Sequence, residues 1–232
     1  MTAARFYVFG HRGACGSEPE NTVRSVRRAL EMGANGIEVD VYRIDGRLMI
    51  IHDDTLERTT NGRGSVFGKS FEELRALDAG MGEKIPVLEE ILEVLQPGVL
   101  LNIELKGPDT AMPVADFIEE KVGQGHWCQE DFVVSSFDHP GLRKVKSRLP
   151  GIRLGALFEK ADSSLVARAV DLGAWSLHIH RRLVSDAIVA EAHGKGLKVF
   201  VYTVNDAPDI RMLRDLGVDG VFTDYPDRAA GI

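Results

Sequence analysis

The sequence predicts a (β/α)8 TIM barrel with a short hairpin and loop insertion after its second strand. Three observations carry that reading. Short β-branched or aromatic runs recur nine times along the 232 residues. Most are apolar at nearly every position, as expected of parallel strands covered on both faces. The stretches between them repeatedly reach a glycine just before the next run, as in Met32-Gly33-Ala34-Asn35-Gly36, Leu172-Gly173-Ala174-Trp175, His193-Gly194-Lys195-Gly196 and Leu216-Gly217-Val218-Asp219-Gly220. Glycine tolerates the left-handed backbone that closes a helix, so these are helix-to-strand joints. Repeated joints imply repeated βα units. One run reads as the return arm of a hairpin. The eight that remain fit a compact barrel of about 230 residues.

The elements follow in order. Residues 6–10 form the first strand, which ends in His11-Arg12-Gly13. The absence of a glycine-rich dinucleotide loop there argues against the runner-up, an open doubly wound sheet. Residues 21–32 form a helix, with Val23, Val26, Ala29 and Leu30 at helical spacing. Residues 36–42 are the second strand, Asp45-Gly46 turns the chain, and 47–52 return. The stretch 53–85 is the least regular, rich in Thr, Gly and Asn, with one helical piece near 71–77. The insertion is therefore placed at about 43–85. Strands follow at 99–105, 132–137, 152–158, 175–179, 197–203 and 220–223, and Ile210, Leu213 and Leu216 mark the helix before the last. No linker interrupts residues 1–232, which read as a single domain.

Composition narrows the function classes. A chain of this length buries on the order of three quarters of its surface on folding and needs no staples. Two cysteines could not supply a disulfide framework. No apolar run reaches the roughly 18 residues of a membrane span. Met1-Thr2-Ala3-Ala4-Arg5 leads straight into the first strand, so no secretion signal and a cytoplasmic location are expected. Net charge is −7 with no Lys/Arg block, which argues against nucleic acid as a partner.

In a barrel, functional groups gather at the carboxyl ends of the strands. Four of the strand-like runs carry polar residues there: His11-Arg12, Glu38-Val39-Asp40, His52-Asp53 and Glu104-Leu105-Lys106. Residues i and i+2 of a strand share a face. Glu38 and Asp40 therefore point together into the barrel mouth, as do Glu104 and Lys106. Burying three carboxylates is costly without a neutralising cation. Oxygen donors of this kind suit Mg²⁺ or Ca²⁺, and a closed zinc site is not expected. Taken singly, each feature has a bland reading: a lone Glu–Lys pair is ordinarily a solvated edge, and a lone histidine ordinarily structural. Their joint placement at successive strand ends argues for a site. Cys15 and Cys128 read as structural thiols. His126, His139, His178 and His193 read as surface residues, with His180 a candidate for the mouth.

The ordered motifs His11-Arg12-Gly13, Pro19-Glu20-Asn21-Thr22, Gly36-Ile37-Glu38-Val39-Asp40, Ile51-His52-Asp53, Leu56-Glu57-Arg58-Thr59-Thr60-Asn61-Gly62, Ile85-Pro86-Val87-Leu88-Glu89-Glu90 and Asn102-Ile103-Glu104-Leu105-Lys106 resemble the glycerophosphodiester phosphodiesterase family. Ser135-Ser136-Phe137-Asp138, Val201-Tyr202-Thr203-Val204-Asn205, Gly217-Val218-Asp219-Gly220 and Thr223-Asp224 continue the resemblance over essentially the whole chain. The resemblance implies catalytic histidines at His11 and His52, phosphate-binding bases at Arg12 and Lys106, and metal carboxylates at Glu38, Asp40 and Glu104. It implies hydrolysis of a small glycerophosphodiester to glycerol 3-phosphate and an alcohol. The glycerol 2-hydroxyl would be the nucleophile and a cyclic phosphate the intermediate. His11 is assigned as base and His52 as acid, with the reverse left open. A lysophospholipid substrate is the alternative, and a non-catalytic binding protein the third reading. Segment 78–85 is shorter than in many members, and Val-Tyr-Thr stands where many have Val-Trp-Thr. Both departures concern the alcohol side.

One further expectation concerns the hairpin. A three-residue loop, Ile44-Asp45-Gly46, would face Arg43 with Arg47 and His52 with Glu38. A two-residue turn would flip every side chain of the arm. The site needs His52 inward, so the three-residue loop is expected.

Overall fold

The computed structural model describes residues 5–231. Residues 1–4, where the expectation about the N-terminus largely rests, lie outside the described residues. Eight parallel strands close on themselves: β1 (Tyr7–Gly10), β2 (Gly36–Ile44), β4 (Leu100–Leu105), β5 (Phe132–Ser136), β6 (Arg153–Phe158), β7 (Ser176–His180), β8 (Lys198–Tyr202) and β9 (Gly220–Thr223). Pairing of β1 with both β2 and β9 completes the ring. A ninth strand, β3 (Arg47–Ile50), lies antiparallel on β2. The architecture is a (β/α)8 barrel, as the apolar runs predict.

Helices cover the outside: α1 (Val23–Glu31), α2 (Phe71–Arg75), α3 (Leu88–Leu92), α4 (Ala111–Gly123), α5 (His139–Arg148), α6 (Leu165–Asp171), α7 (Asp186–Gly194) and α8 (Ala207–Asp215). The main core fills the layer between helices and barrel, with Val26, Ile37, Val39, Ile103, Val134 and Val201 among its fully buried members. The segment between β3 and α3 packs a core of its own around Met49, Leu56, Val66, Leu74 and Ile85. Among the described residues, no helix is long and apolar enough to cross a membrane.

The hairpin corrects the expectation. Strand β2 runs on to Ile44, which pairs with Arg47, so the turn holds two residues. Asp45 (φ 49°) and Gly46 (φ 75°) are both left-handed, the turn whose twist matches that of the flanking strands. Asp45 tolerates this backbone, and its Oδ2 accepts from Phe71 N at 3.0 Å. Parity alone would then set His52 opposite Val39. It does not, because the ladder ends first. Ile50 N turns to Pro86 O, Ile51 N makes a last bond to Asp40 O, and His52 follows in a bend where alternation no longer holds.

Candidate active site

The carboxylates come together through strand register. Glu38 and Asp40 are two residues apart on β2, and Glu104 on β4 lies beside Asp40. One oxygen from each lies within 4.8 Å of the others. Glu38 and Asp40 are buried, at 2% and 1% exposure. The His11-Arg12-Gly13 turn is folded around them. Arg12 is left-handed (φ 52°) and donates its backbone N–H to Glu38 Oε2 at 2.8 Å. The turn sits tightly on α1: a Cβ at Gly13 would lie 2.3 Å from Ser25 Oγ, the hydroxyl that donates to Arg12 O. Asn21, also left-handed, brackets Asp40 by donating to its Oδ2 and accepting from its backbone N–H.

The cations are already engaged. Arg12 Nε lies 3.2 Å from Asp40 Oδ2, and Lys106 Nζ lies 3.2 Å from Asp40 Oδ1 and 2.5 Å from Glu104 Oε1. The chain thus supplies two counter-charges of its own to the three carboxylates. They do not suffice. Burial, then Asp40 and Glu104, push the Glu38 carboxyl well above the usual range. Burial and Asp40 likewise raise Glu104 against the pull of Lys106. Asp40 is also buried, but Lys106 and Arg12 outweigh that burial and hold it low. Glu38 Oε1 is buried with no hydrogen-bond partner among the described residues. An unpartnered carboxylate oxygen inside a cluster short of positive charge fits a hard cation held by oxygen ligands.

Each histidine of the site is backed by a carboxylate. His11 Nδ1 lies 2.7 Å from Asp224 Oδ1, and His52 Nδ1 lies 2.6 Å from Asp53 Oδ1. Such a partner fixes the proton on Nδ1 and leaves Nε2 as the available nitrogen. Burial would raise Asp224, but His11, Cys15 and Asn205 hold it low. Arg58 above all, with His52, holds Asp53 at about 2. Burial lowers His52 below its ordinary value, against the pull of Asp40. Ion pairs link Asp53 through Arg58 and Glu20 to Arg12, so the His52 side is tied to the carboxylate cluster. On the His11 side, Asn205 donates to Asp224 Oδ2 at 2.6 Å, and the Cys15 thiol donates to Oδ1 at 3.0 Å. His11, Cys15 and Asp224 thus converge, which the reading of Cys15 by itself did not foresee. Both cysteines are free.

A cavity of about 170 Å³ is lined by His11, Arg12, Glu38, His52, Glu104 and Lys106, together with Asn102, Ser135, Leu157, His178, Tyr202 and Phe222. Every catalytic, phosphate-binding or metal residue that the resemblance implies lines it except Asp40, which is buried against Arg12 and Lys106. Asp224, Asp53, Asn205 and Asn21 were legible only as parts of motifs, without roles. Only Asp53, next to His52 in the chain, carried a signal of its own.

Two histidines read as surface residues are buried. His139 bonds Leu157 O through Nε2 and stacks edge-on against Phe158. His178 is fully buried on β7 and lines the cavity; its alternation with Leu177 and Ile179 puts it inside the barrel. His180 instead accepts from Arg182 N, closing a turn, and is not among the cavity residues.

Burial pushes the His178 imidazole down to about 3, against about 6.5 when unfolded. The unfolded ring therefore gains a proton below about pH 6.5 while the folded ring does not. Its contribution falls as pH drops through that window, by up to about 1.4 kcal/mol per pH unit. His178→Asn should flatten the acid slope of the unfolding free energy between pH 6.5 and 4. Equal slopes in variant and wild type would contradict the assignment.

The family model described as "Glycerophosphoryl diester phosphodiesterase family" matches residues 11–228. A glycerophosphodiester phosphodiesterase of Caldanaerobacter subterraneus subsp. tengcongensis is 37% identical over 232 aligned positions, which cover 95% of this chain and 94% of the relative. One from Bacillus altitudinis is 38% identical and covers 97% of each. Among solved structures, a phosphodiesterase of Oleispira antarctica in complex with the product sn-glycerol-3-phosphate superposes with a TM-score of 0.84 at 33% identity, over 96% of this chain and 94% of that one. With that family model matching residues 11–228 and relatives 37–38% identical over nearly the whole chain, this chain belongs to the glycerophosphoryl diester phosphodiesterase family.

Proposed function

We propose that the protein hydrolyses glycerophosphodiesters to glycerol 3-phosphate and an alcohol, with a divalent cation, Mg²⁺ or Ca²⁺, held by Glu38, Asp40 and Glu104. The observation that carries the reading is the convergence of these carboxylates in one cavity with two carboxylate-backed histidines and two cations. The cation would supply charge stabilisation to the phosphoryl oxygens.

The chain's own groups would do the rest. Arg12 and Lys106 would draw the anionic diester in and offset the charge that develops on phosphorus oxygens. A local positive field is sufficient for this in a protein whose net charge is −7. His11 Nε2 would accept the proton of the glycerol 2-hydroxyl as its oxygen bonds to phosphorus. The bond from phosphorus to the leaving alcohol breaks, and His52 would give that oxygen a proton. Water would then open the cyclic phosphate with the histidine roles reversed. Asp224 and Asp53 would hold both rings in the required tautomer.

Release of glycerol 3-phosphate should be measured across a panel of glycerophosphodiesters and lysophospholipids. Turnover of several head groups, with little on acyl-bearing substrates, is expected. Preference for the acylated ones would overturn the substrate assignment.

A further inference from the structure

The barrel interior is lopsided. On one side Phe9, Phe200 and Phe222 pack ring to ring, with the Phe9 centroid 5.3 Å from Phe200 and 4.8 Å from Phe222. On the other, Asn102, Ser135, Gly155, Ser176 and His178 point inward, all buried. They form a polar seam. Asn102 Nδ2 donates to Ser135 Oγ at 2.9 Å, and Ser176 Oγ lies 2.8 Å from His178 Nε2. Gly155 sits between the two pairs in the ladder. A Cβ there would lie 2.3 Å from His178 Cε1, so the imidazole occupies the room a side chain would need.

These bonds leave two atoms over. Asn102 Oδ1 and His178 Nδ1 are buried with no hydrogen-bond partner among the described residues. A buried polar group left unpaired destabilises the fold. Packing alone would favour apolar residues such as those on the facing side. Both residues line the cavity that holds His11, His52 and the carboxylates, where Leu157, Tyr202 and Phe222 supply apolar walls. At about 170 Å³ the space far exceeds what one water needs. Apolar walls for carbon and a buried donor–acceptor pair suit a short polyol.

We propose that Asn102 and His178 recognise the terminal hydroxyl of the substrate's glycerol, which would donate to Asn102 Oδ1 and accept from His178 Nδ1–H. The inference rests on the glycerophosphodiester reading. In that reading one glycerol oxygen carries phosphorus and the 2-hydroxyl attacks it, so only the terminal hydroxyl remains to be bound. Ser176 donating to Nε2 leaves the imidazole proton on Nδ1. Burial keeps the ring neutral. A site built to bond a hydroxyl rejects an analogue lacking it far more strongly than an apolar pocket can.

The test compares kcat/KM for two diesters of one leaving alcohol, built on glycerol or on propane-1,2-diol. The second keeps the vicinal hydroxyl needed for ring closure and lacks only the terminal one. Wild type should favour glycerol by about 10²-fold or more. Asn102→Ala and His178→Ala should each bring that ratio below about 10, with the loss falling mainly on the glycerol substrate. Asn102→Ala carries the test if the His178 variant does not fold. Three results would overturn the inference: a wild-type ratio near one, a ratio unchanged in the variants (an ordered water as occupant), or parallel losses on both substrates (a structural role). Each leaves glycerophosphodiester hydrolysis standing. Failure of wild type to hydrolyse the glycerol diester would remove the functional reading itself.

Discussion

EDTA should abolish hydrolysis, and Mg²⁺ or Ca²⁺ should restore it. The charges set the expectation. Ionising all three carboxylates against Arg12 and Lys106 would leave the cluster one negative charge in excess, a state that the raised Glu38 and Glu104 carboxyls resist and that repels a phosphodiester. A divalent cation reverses that sign, and the anionic substrate then brings the site to neutrality. Removing several kcal/mol of charge stabilisation corresponds to about 10³-fold or more in rate. The chelated protein should stay folded, because Arg12, Lys106 and Asn21 already hold Asp40 and the Arg12 backbone N–H holds Glu38, so its melting temperature should change little. Glu38→Gln should weaken cation affinity more than it perturbs folding, since the amide keeps the side chain's shape and an acceptor for the Arg12 backbone N–H. Full turnover by metal-free enzyme would contradict the assignment, and a large loss of melting temperature in chelator would make the cluster structural.

His11→Ala and His52→Ala should each lower kcat by about 10²–10⁴-fold, the range of a positioned acid or base. The double variant should lose far less than the product of the two, because removing either ring stalls the same proton transfer. Asp224→Asn tests what the geometry adds. With His11 Nδ1 2.7 Å from Asp224, the amide would favour the wrong tautomer, so kcat should fall while KM moves little. Multiplicative loss in the double variant would mean that the two histidines act independently. An unaffected Asp224→Asn enzyme would remove His11 from the role of base.

Much of this was legible in the sequence because strand parity is a strong rule. Glu38 with Asp40, and Glu104 with Lys106, share faces by counting alone, and the register that sets Asp40 beside Glu104 brings them together. The glycine joints likewise marked strand starts to within a residue or two. What counting could not reach lies where regular structure stops. His52 enters the site from a bend beyond its ladder, so the right placement was expected from the wrong turn. Asp224 and Asp53 act through side-chain bonds that no periodicity encodes. Reading His178 with the loop and helix-end histidines puts it at the surface, although its neighbours Leu177 and Ile179 alternate with it along a buried strand. The pairing of Lys106 and Arg12 with the carboxylates is a three-dimensional balance, invisible in a net charge of −7.

The central claim is that the cavity breaks the bond between phosphorus and the leaving alcohol, using the neighbouring glycerol hydroxyl. Phosphorus-31 NMR of a glycerophosphodiester incubated with wild-type enzyme and Mg²⁺ tests it most directly. The diester resonance should give way to glycerol 3-phosphate, with a five-membered cyclic phosphate rising and decaying between them. Formation of the other phosphomonoester with free glycerol, or an unchanged diester, would contradict the account.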